Sequence, residues 1–173
     1  MNESERWGLH LTADFITSSG DSLLGIKGRK HLLVIGDLWS GLWHAYPTKT
    51  RQTEEVITCF KQFAGQRANK IHSLYSDSGA EILKCLREFN VFPRGGQPGV
   101  KKANALVEQR NRDVQATARV LLDTAGLPTC FWPFAAPYGT LMRNIRSASL
   151  DADQSPYQKT HGEEFPATLS FWL

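Results

Sequence analysis

Apolar and polar positions alternate from Trp7 to Thr17 (WGLHLTADFIT), around Leu9, Leu11, Ala13 and Phe15, which predicts a strand packed on one face with Asp14 inside it. The run from Lys30 to Trp39 (KHLLVIGDLW) is largely apolar and predicts a buried central strand. Gly41 to Pro47 (GLWHAYP) predicts a third strand after the Ser40-Gly41 turn. Short links between the three imply antiparallel pairing. The period then lengthens: from Thr53 to Phe63, Val56, Phe60 and Phe63 take helical spacing behind a Thr53 cap and two glutamates. Lys70 to Tyr75 (KIHSLY) is a short strand that runs into Ser76-Asp77-Ser78-Gly79. Asp77 is therefore placed at a strand's carboxyl end beside a glycine turn, where open α/β sheets put ligands.

Glu81 to Asn90 predicts a compact helix with Ile82, Leu83, Leu86 and Phe89 inward. Val91 to Val100 (VFPRGGQPGV) holds three glycines and two prolines and is expected to be irregular. The strongest pattern lies from Lys101 to Ala125. Ala103, Leu106, Val107, Val114, Ala118, Leu121 and Ala125 gather on one side of a helix. Lys101, Asn104, Glu108, Arg112, Gln115 and Arg119 form another stripe, within roughly 80° of one another. Gly126-Leu127-Pro128 stops that helix. Phe131 to Ile145 reads as an aromatic-rich helix, kinked or restarted at Pro137. Ser147 to Leu173 reads as mostly irregular. The chain shows no internal repeat, low-complexity tract or domain linker.

Composition adds limits. With 173 residues, 41% of them hydrophobic and 21% charged, the chain suits one globular domain with a real core. No apolar run approaches the roughly 18 residues of a membrane span. The opening MNESERWG lacks a signal peptide's apolar segment, so a nuclear or cytoplasmic setting is expected. Cys59, Cys85 and Cys130 are odd in number and form no CxxC pair, which argues against a disulfide framework and a structural zinc site. The net charge of +3 is mild, but Lys101, Lys102, Arg110, Arg112 and Arg119 sit together. Gly20 and Gly25 are spaced as in a phosphate-binding loop, yet Ile26 stands where that loop needs lysine.

Glu108 is the single carboxylate in the cationic stripe, and two readings stand. It forms a weak i,i+4 pair with Arg112 on a solvated helix, or it shares a metal ion with Asp14 and Asp77 while the cations around it hold phosphates. Asp37, at a strand end before a turn, is read as structural. His10 and His44 are read as sheet-face residues, and Trp132 as a core or dimer contact.

Three strands, a helix, a strand ending in aspartate and then a helix bearing glutamate give an order in which specific motifs fall. These are Asp14 in LTADFI, Asp77 in SDSGAE, and Asn104, Glu108, Arg110 and Asn111 in ANALVEQRNR, followed by FWPFAAPYGTLMRNI and SPYQKTHGEEFP. In these motifs, from about Trp7 onward, the chain resembles the catalytic core of a retroviral-type integrase. The resemblance is most marked to the copia-type LTR retrotransposons, within the ribonuclease H-like superfamily of DDE polynucleotidyl transferases. It implies an α/β, ribonuclease H-like fold: a central mixed five-stranded sheet, three antiparallel strands then parallel ones, flanked by helices. Residues 1–146 would form the core and 147–173 its extension.

The resemblance also implies metal-dependent DNA 3′-end processing and strand transfer. Asp14, Asp77 and Glu108 would be the catalytic carboxylates, holding two Mg²⁺ or Mn²⁺ ions with Asp14 shared between them. Lys101, Lys102, Asn104, Arg112 and Arg119 would contact DNA, and the core would form a homodimer or higher oligomer. Three departures from the family's pattern stand out. The interval between Asp77 and Glu108 is a few residues short, Ser78-Gly79 replaces an Asn-Gly, and Ala105 replaces the glycine after Asn104. The family's zinc module and basic tail are not recognisable, so the chain reads as a core domain of a longer polyprotein or as a remnant. The alternative function is a catalytically inert remnant retained as a nucleic-acid or protein interaction module. A true ribonuclease H would need a fourth carboxylate and a histidine near the last helix, a part that neither Asp123 nor His161 fits.

Overall fold

The structure, a computed structural model, describes residues 6–17, 24–76, 80–93, 100–146 and 153–166, without the side chains of 92–93 and 100–104. Its strands are β1 (Leu11–Thr17), β2 (His31–Asp37), β3 (Trp43–Thr48), β4 (Ser73–Tyr75) and β5 (Phe92–Pro93). Its helices are α1 (Thr53–Ala64), α2 (Ala80–Glu88), α3 (Val100–Ala125), α4 (Trp132–Ile145) and α5 (Pro156–His161). The strands form one sheet in the order β3-β2-β1-β4-β5. β1, β2 and β3 pair antiparallel, whereas β4 runs parallel to β1 and β5 parallel to β4.

β2 shows why its sequence is a continuous apolar run. Leu33 and Ile35 pack on one side with Leu11, Val56 and Phe60, in a core covered by α1 and α2. Leu32 and Val34 pack on the other with Trp43, Val114 and Ala118, under α3 and α4. A strand buried on both faces has no polar side to alternate with. β3 closes one edge of the sheet, where backbone groups need partners from elsewhere. Buried Asn144 of α4 supplies them: its Oδ1 accepts from the Trp43 N–H at 3.0 Å and its Nδ2 donates to the Trp43 carbonyl at 2.6 Å.

Several elements differ from the sequence expectation. Phe92–Pro93 pairs with Ser73 and Leu74 as a strand, although it opens the segment read as irregular. α2 buries Ile82, Cys85 and Leu86, while Leu83 is exposed. α3 buries Val114, Ala118 and Leu122, and Ala125 is exposed. α4 runs unbroken through Pro137. In the extension, α5 is a regular helix opened by a capping box in which Ser155 and Gln158 satisfy each other's backbone N–H. Lys159 ties it to the core by donating to the Trp39 carbonyl at 2.6 Å.

The start of α1 is held by Glu55 rather than Thr53. The Glu55 carboxylate accepts from the backbone N–H groups of Lys49 and Thr50 and from the Thr50 hydroxyl, at 3.2, 2.7 and 2.6 Å. Arg29 lies 3.6 Å away. Burial opposes ionisation of Glu55, but the Thr50 and Lys49 hydrogen bonds and the Arg29 charge outweigh it and hold its pKa below the usual carboxylate value.

Candidate active site

Asp14 sits in the middle of β1 opposite Val34 of β2, half-buried on the sheet face that α3 covers. One carboxylate oxygen accepts from the Phe15 N–H at 2.8 Å. The other accepts from Asn111 Nδ2 at 2.6 Å, across 97 residues of chain. That bond fixes the face of α3 that meets the site. Glu108 lies three residues before Asn111 and Arg112 four residues after Glu108, so all three occupy neighbouring positions on successive turns.

Glu108 is exposed and makes no hydrogen bond or ion pair among the described residues, so the pairing with Arg112 considered from sequence does not form. Arg112 and Arg119 are also exposed and make no ion pair among the described residues. Arg110 behaves differently. It lies 3.8 Å from Asp113 and 5.8 Å from the centroid of the Trp43 ring, which takes it out of the open cationic stripe.

The chain is 26% identical over 146 residues to the Retrovirus-related Pol polyprotein from transposon RE2 of Arabidopsis thaliana, over 82% of this chain and 10% of that protein. It is also 26% identical over 145 residues to the polyprotein from transposon RE1 of the same plant, again over 10% of its length. The chain thus spans about a tenth of the length of the curated relatives it matches. No protein-family model matches. Among solved structures, the HTLV-2 integrase catalytic core domain, in complex with magnesium and in a trimeric form, superposes with a TM-score of 0.67. It is 18% identical, and the match covers 90% of this chain and 98% of that one, a likeness of fold. The chain is therefore similar in sequence to a stretch of retrotransposon Pol polyproteins and in fold to an integrase catalytic core.

Asp14 and the Glu108–Asn111 turn of α3 come together through the Asp14–Asn111 bond. Asp77 lies outside the described residues, as do the side chains of Lys101, Lys102 and Asn104. Asn111 belongs to the motif that carries the resemblance, but its contact with Asp14 was not foreseen. The signal was its position one turn beyond Glu108. The structural readings of other polar residues fit their contacts. Buried Asp37 accepts from the Gly8 N–H, the Ser40 N–H and the Ser40 hydroxyl at 2.9, 2.8 and 2.7 Å. His10 bonds Ser73 at 2.9 Å, and His44 stacks on Tyr46 with Phe63 edge-on. Burial first, and then the charge of His161, pushes His44 down to about 4.

A hard divalent cation suits the oxygen donors around Asp14: a carboxylate and, beside it, the amide oxygen of Asn111. Asn111 Oδ1, on the amide that holds Asp14, is buried with no hydrogen-bond partner among the described residues. Oxygen donors left open beside a carboxylate are the ligand chemistry Mg²⁺ and Mn²⁺ prefer. Among the described residues no three acidic, histidine or cysteine side chains gather as a cage.

Proposed function

We propose that this chain is an integrase core of the retrotransposon type, a polynucleotidyl transferase that cuts and joins DNA strands with Asp14, Asp77 and Glu108 as its catalytic carboxylates. The observation that carries the reading is the Asn111–Asp14 hydrogen bond, which joins β1 to the turn of α3 bearing Glu108. The parallel register pairs Thr12 with Tyr75, and Asp14 and Asp77 each follow two residues later in the sequence. When bound, two Mg²⁺ or Mn²⁺ ions supply the Lewis acidity that activates the attacking oxygen and stabilises the leaving one.

The protein's own groups do the rest. Asn111 restrains the orientation of the Asp14 carboxylate. Glu108, exposed and unpaired among the described residues, is free to turn toward the site when charge arrives to hold it. Arg112 and Arg119 supply a phosphate track along α3, and Lys101, Lys102 and Asn104 extend it toward the helix start. Such contacts give salt-sensitive affinity and register rather than sequence reading. The magnesium complex and trimeric form of the HTLV-2 core support a divalent-metal enzyme that works as an oligomer.

A second reading, an inert remnant that binds nucleic acid or protein, is favoured by Ala105, which stands where the family's motif carries glycine. Reversal of strand transfer on a branched DNA with Mn²⁺ separates the two. The transferase reading expects product from the native chain and at least about 100-fold less from Asp77→Asn, in line with the loss of an essential catalytic group. Equal product from both proteins would remove it.

A further inference from the structure

Next to Asp14 lies a cavity of about 400 Å³ that none of the catalytic assignments uses. It begins at Ile16, two residues along β1 from Asp14, and at Gln115, one turn along α3 from Asn111. Its floor is apolar and buried, built from Leu32, Ala118, Leu122 and Ala136. Trp132 forms part of the wall, while Lys30 and Arg119 contribute the cations. The indole is held in place by the chain opposite: a Cβ on Gly25 would lie only 2.9 Å from its ring atoms, so backbone packs directly on Trp132.

We infer that this cavity takes one unpaired nucleotide of the DNA strand that passes Asp14, its base entering the apolar floor beside Trp132 and its phosphate meeting Arg119 and Lys30. The inference rests on the transferase reading for the identity of the strand. Three features fit a nucleotide better than other small anions. The space exceeds what a base needs and is shaped by apolar side chains and an indole, the surroundings on which unstacked bases settle. Gln115, Thr17 and Thr129 line it as well and provide hydrogen-bonding groups for base edges. The mouth is electropositive: at His31, bonded to Thr17 at 3.1 Å, burial and then the charges of Arg51 and Lys30 depress the imidazole pKa.

The test uses a duplex with a two-nucleotide single-stranded overhang carrying 2-aminopurine, a blunt duplex, and a free deoxynucleoside monophosphate, all in EDTA. Binding of the overhang about tenfold tighter than the blunt end is expected, the gain of one stacked base, with a change in 2-aminopurine fluorescence. Ala118→Leu, which fills the floor, abolishes both effects. Should that variant fail to fold, Gln115→Trp plugs the half-buried rim instead. Equal affinity for overhang and blunt ends, or a fluorescence change that survives a folded pocket-filling variant, overturns the inference. So does binding of the mononucleotide with no preference for the overhang, which would assign the cavity to a free nucleotide. Because no metal is present, failure here leaves the carboxylate chemistry standing, and a chain inert with Mn²⁺ can still capture the base.

Discussion

Asn111 is the side chain on which the geometry around Asp14 turns. Its amide donates to the carboxylate at 2.6 Å while its own oxygen is buried without a partner among the described residues, an arrangement that costs stability unless something else engages that oxygen. Asn111→Leu removes the restraint on Asp14 and also removes the unpaired oxygen. Metal-dependent activity is therefore expected to fall about 10- to 100-fold, as for loss of a group that orients a ligand. The melting temperature should move by no more than a few degrees, because the lost bond and the relieved oxygen offset. Parallel activity and thermal-melt measurements check this, and full activity in the variant would deny Asn111 a positioning role. Asp37 makes a useful contrast, since all its hydrogen bonds come from its own turn and from Gly8, and it has no part in the site.

At the level of elements, the start of α1 offers a direct prediction. Glu55 satisfies the backbone ahead of the helix, and its pKa is held low, so its contribution is present above the ordinary carboxylate range and is lost as pH falls through the depressed folded value. Glu55→Gln should cost about 1 kcal/mol at pH 7, the usual weight of a helix cap. The difference from the native chain should shrink in acid, as denaturant melts at pH 7 and pH 3 would record.

The elements that could be read from sequence are those whose burial leaves a local period. β2 shows as an apolar run because both its faces are covered, and α3 shows its stripe because one side faces the sheet and the other solvent. β5 left no such trace: two residues inside a glycine- and proline-rich stretch become a strand only by pairing with β4, far away in sequence. Ser155 and Gln158 did spell a capping box, yet no apolar periodicity followed to mark α5 as a helix. Of the candidate site, the resemblance singled out Asp14 and Glu108 through their motifs. The tie between Asp14 and Asn111 was not visible there, since it exists only once α3 lies across the sheet.

For the molecule as a whole, a mixed sheet covered on both faces, with α3 and α4 on the side of Asp14, leaves Asp14, Glu108 and the cationic side of α3 on one surface. The opposite core, around Phe60 and Phe63, packs against the other face of the sheet and holds an acid-sensitive group. His44, packed against Phe63 and Tyr46, is neutral in the fold down to about pH 4, whereas in the unfolded chain it takes a proton near its usual 6.5. Unfolding therefore becomes easier as pH falls through that window, at a slope of at most about 1.4 kcal/mol per unit. His44→Phe should flatten the stability profile between pH 6.5 and 4 without altering it above pH 7.

Calorimetric titration with Mn²⁺ bears most directly on the proposal that Asp14, Asp77 and Glu108 converge into one site. Saturable binding is expected for the native chain, weakened at least about tenfold in each of Asp14→Asn, Asp77→Asn and Glu108→Gln, as for removal of a metal ligand. Binding that is absent from the native chain, or unchanged in all three variants, would contradict the account.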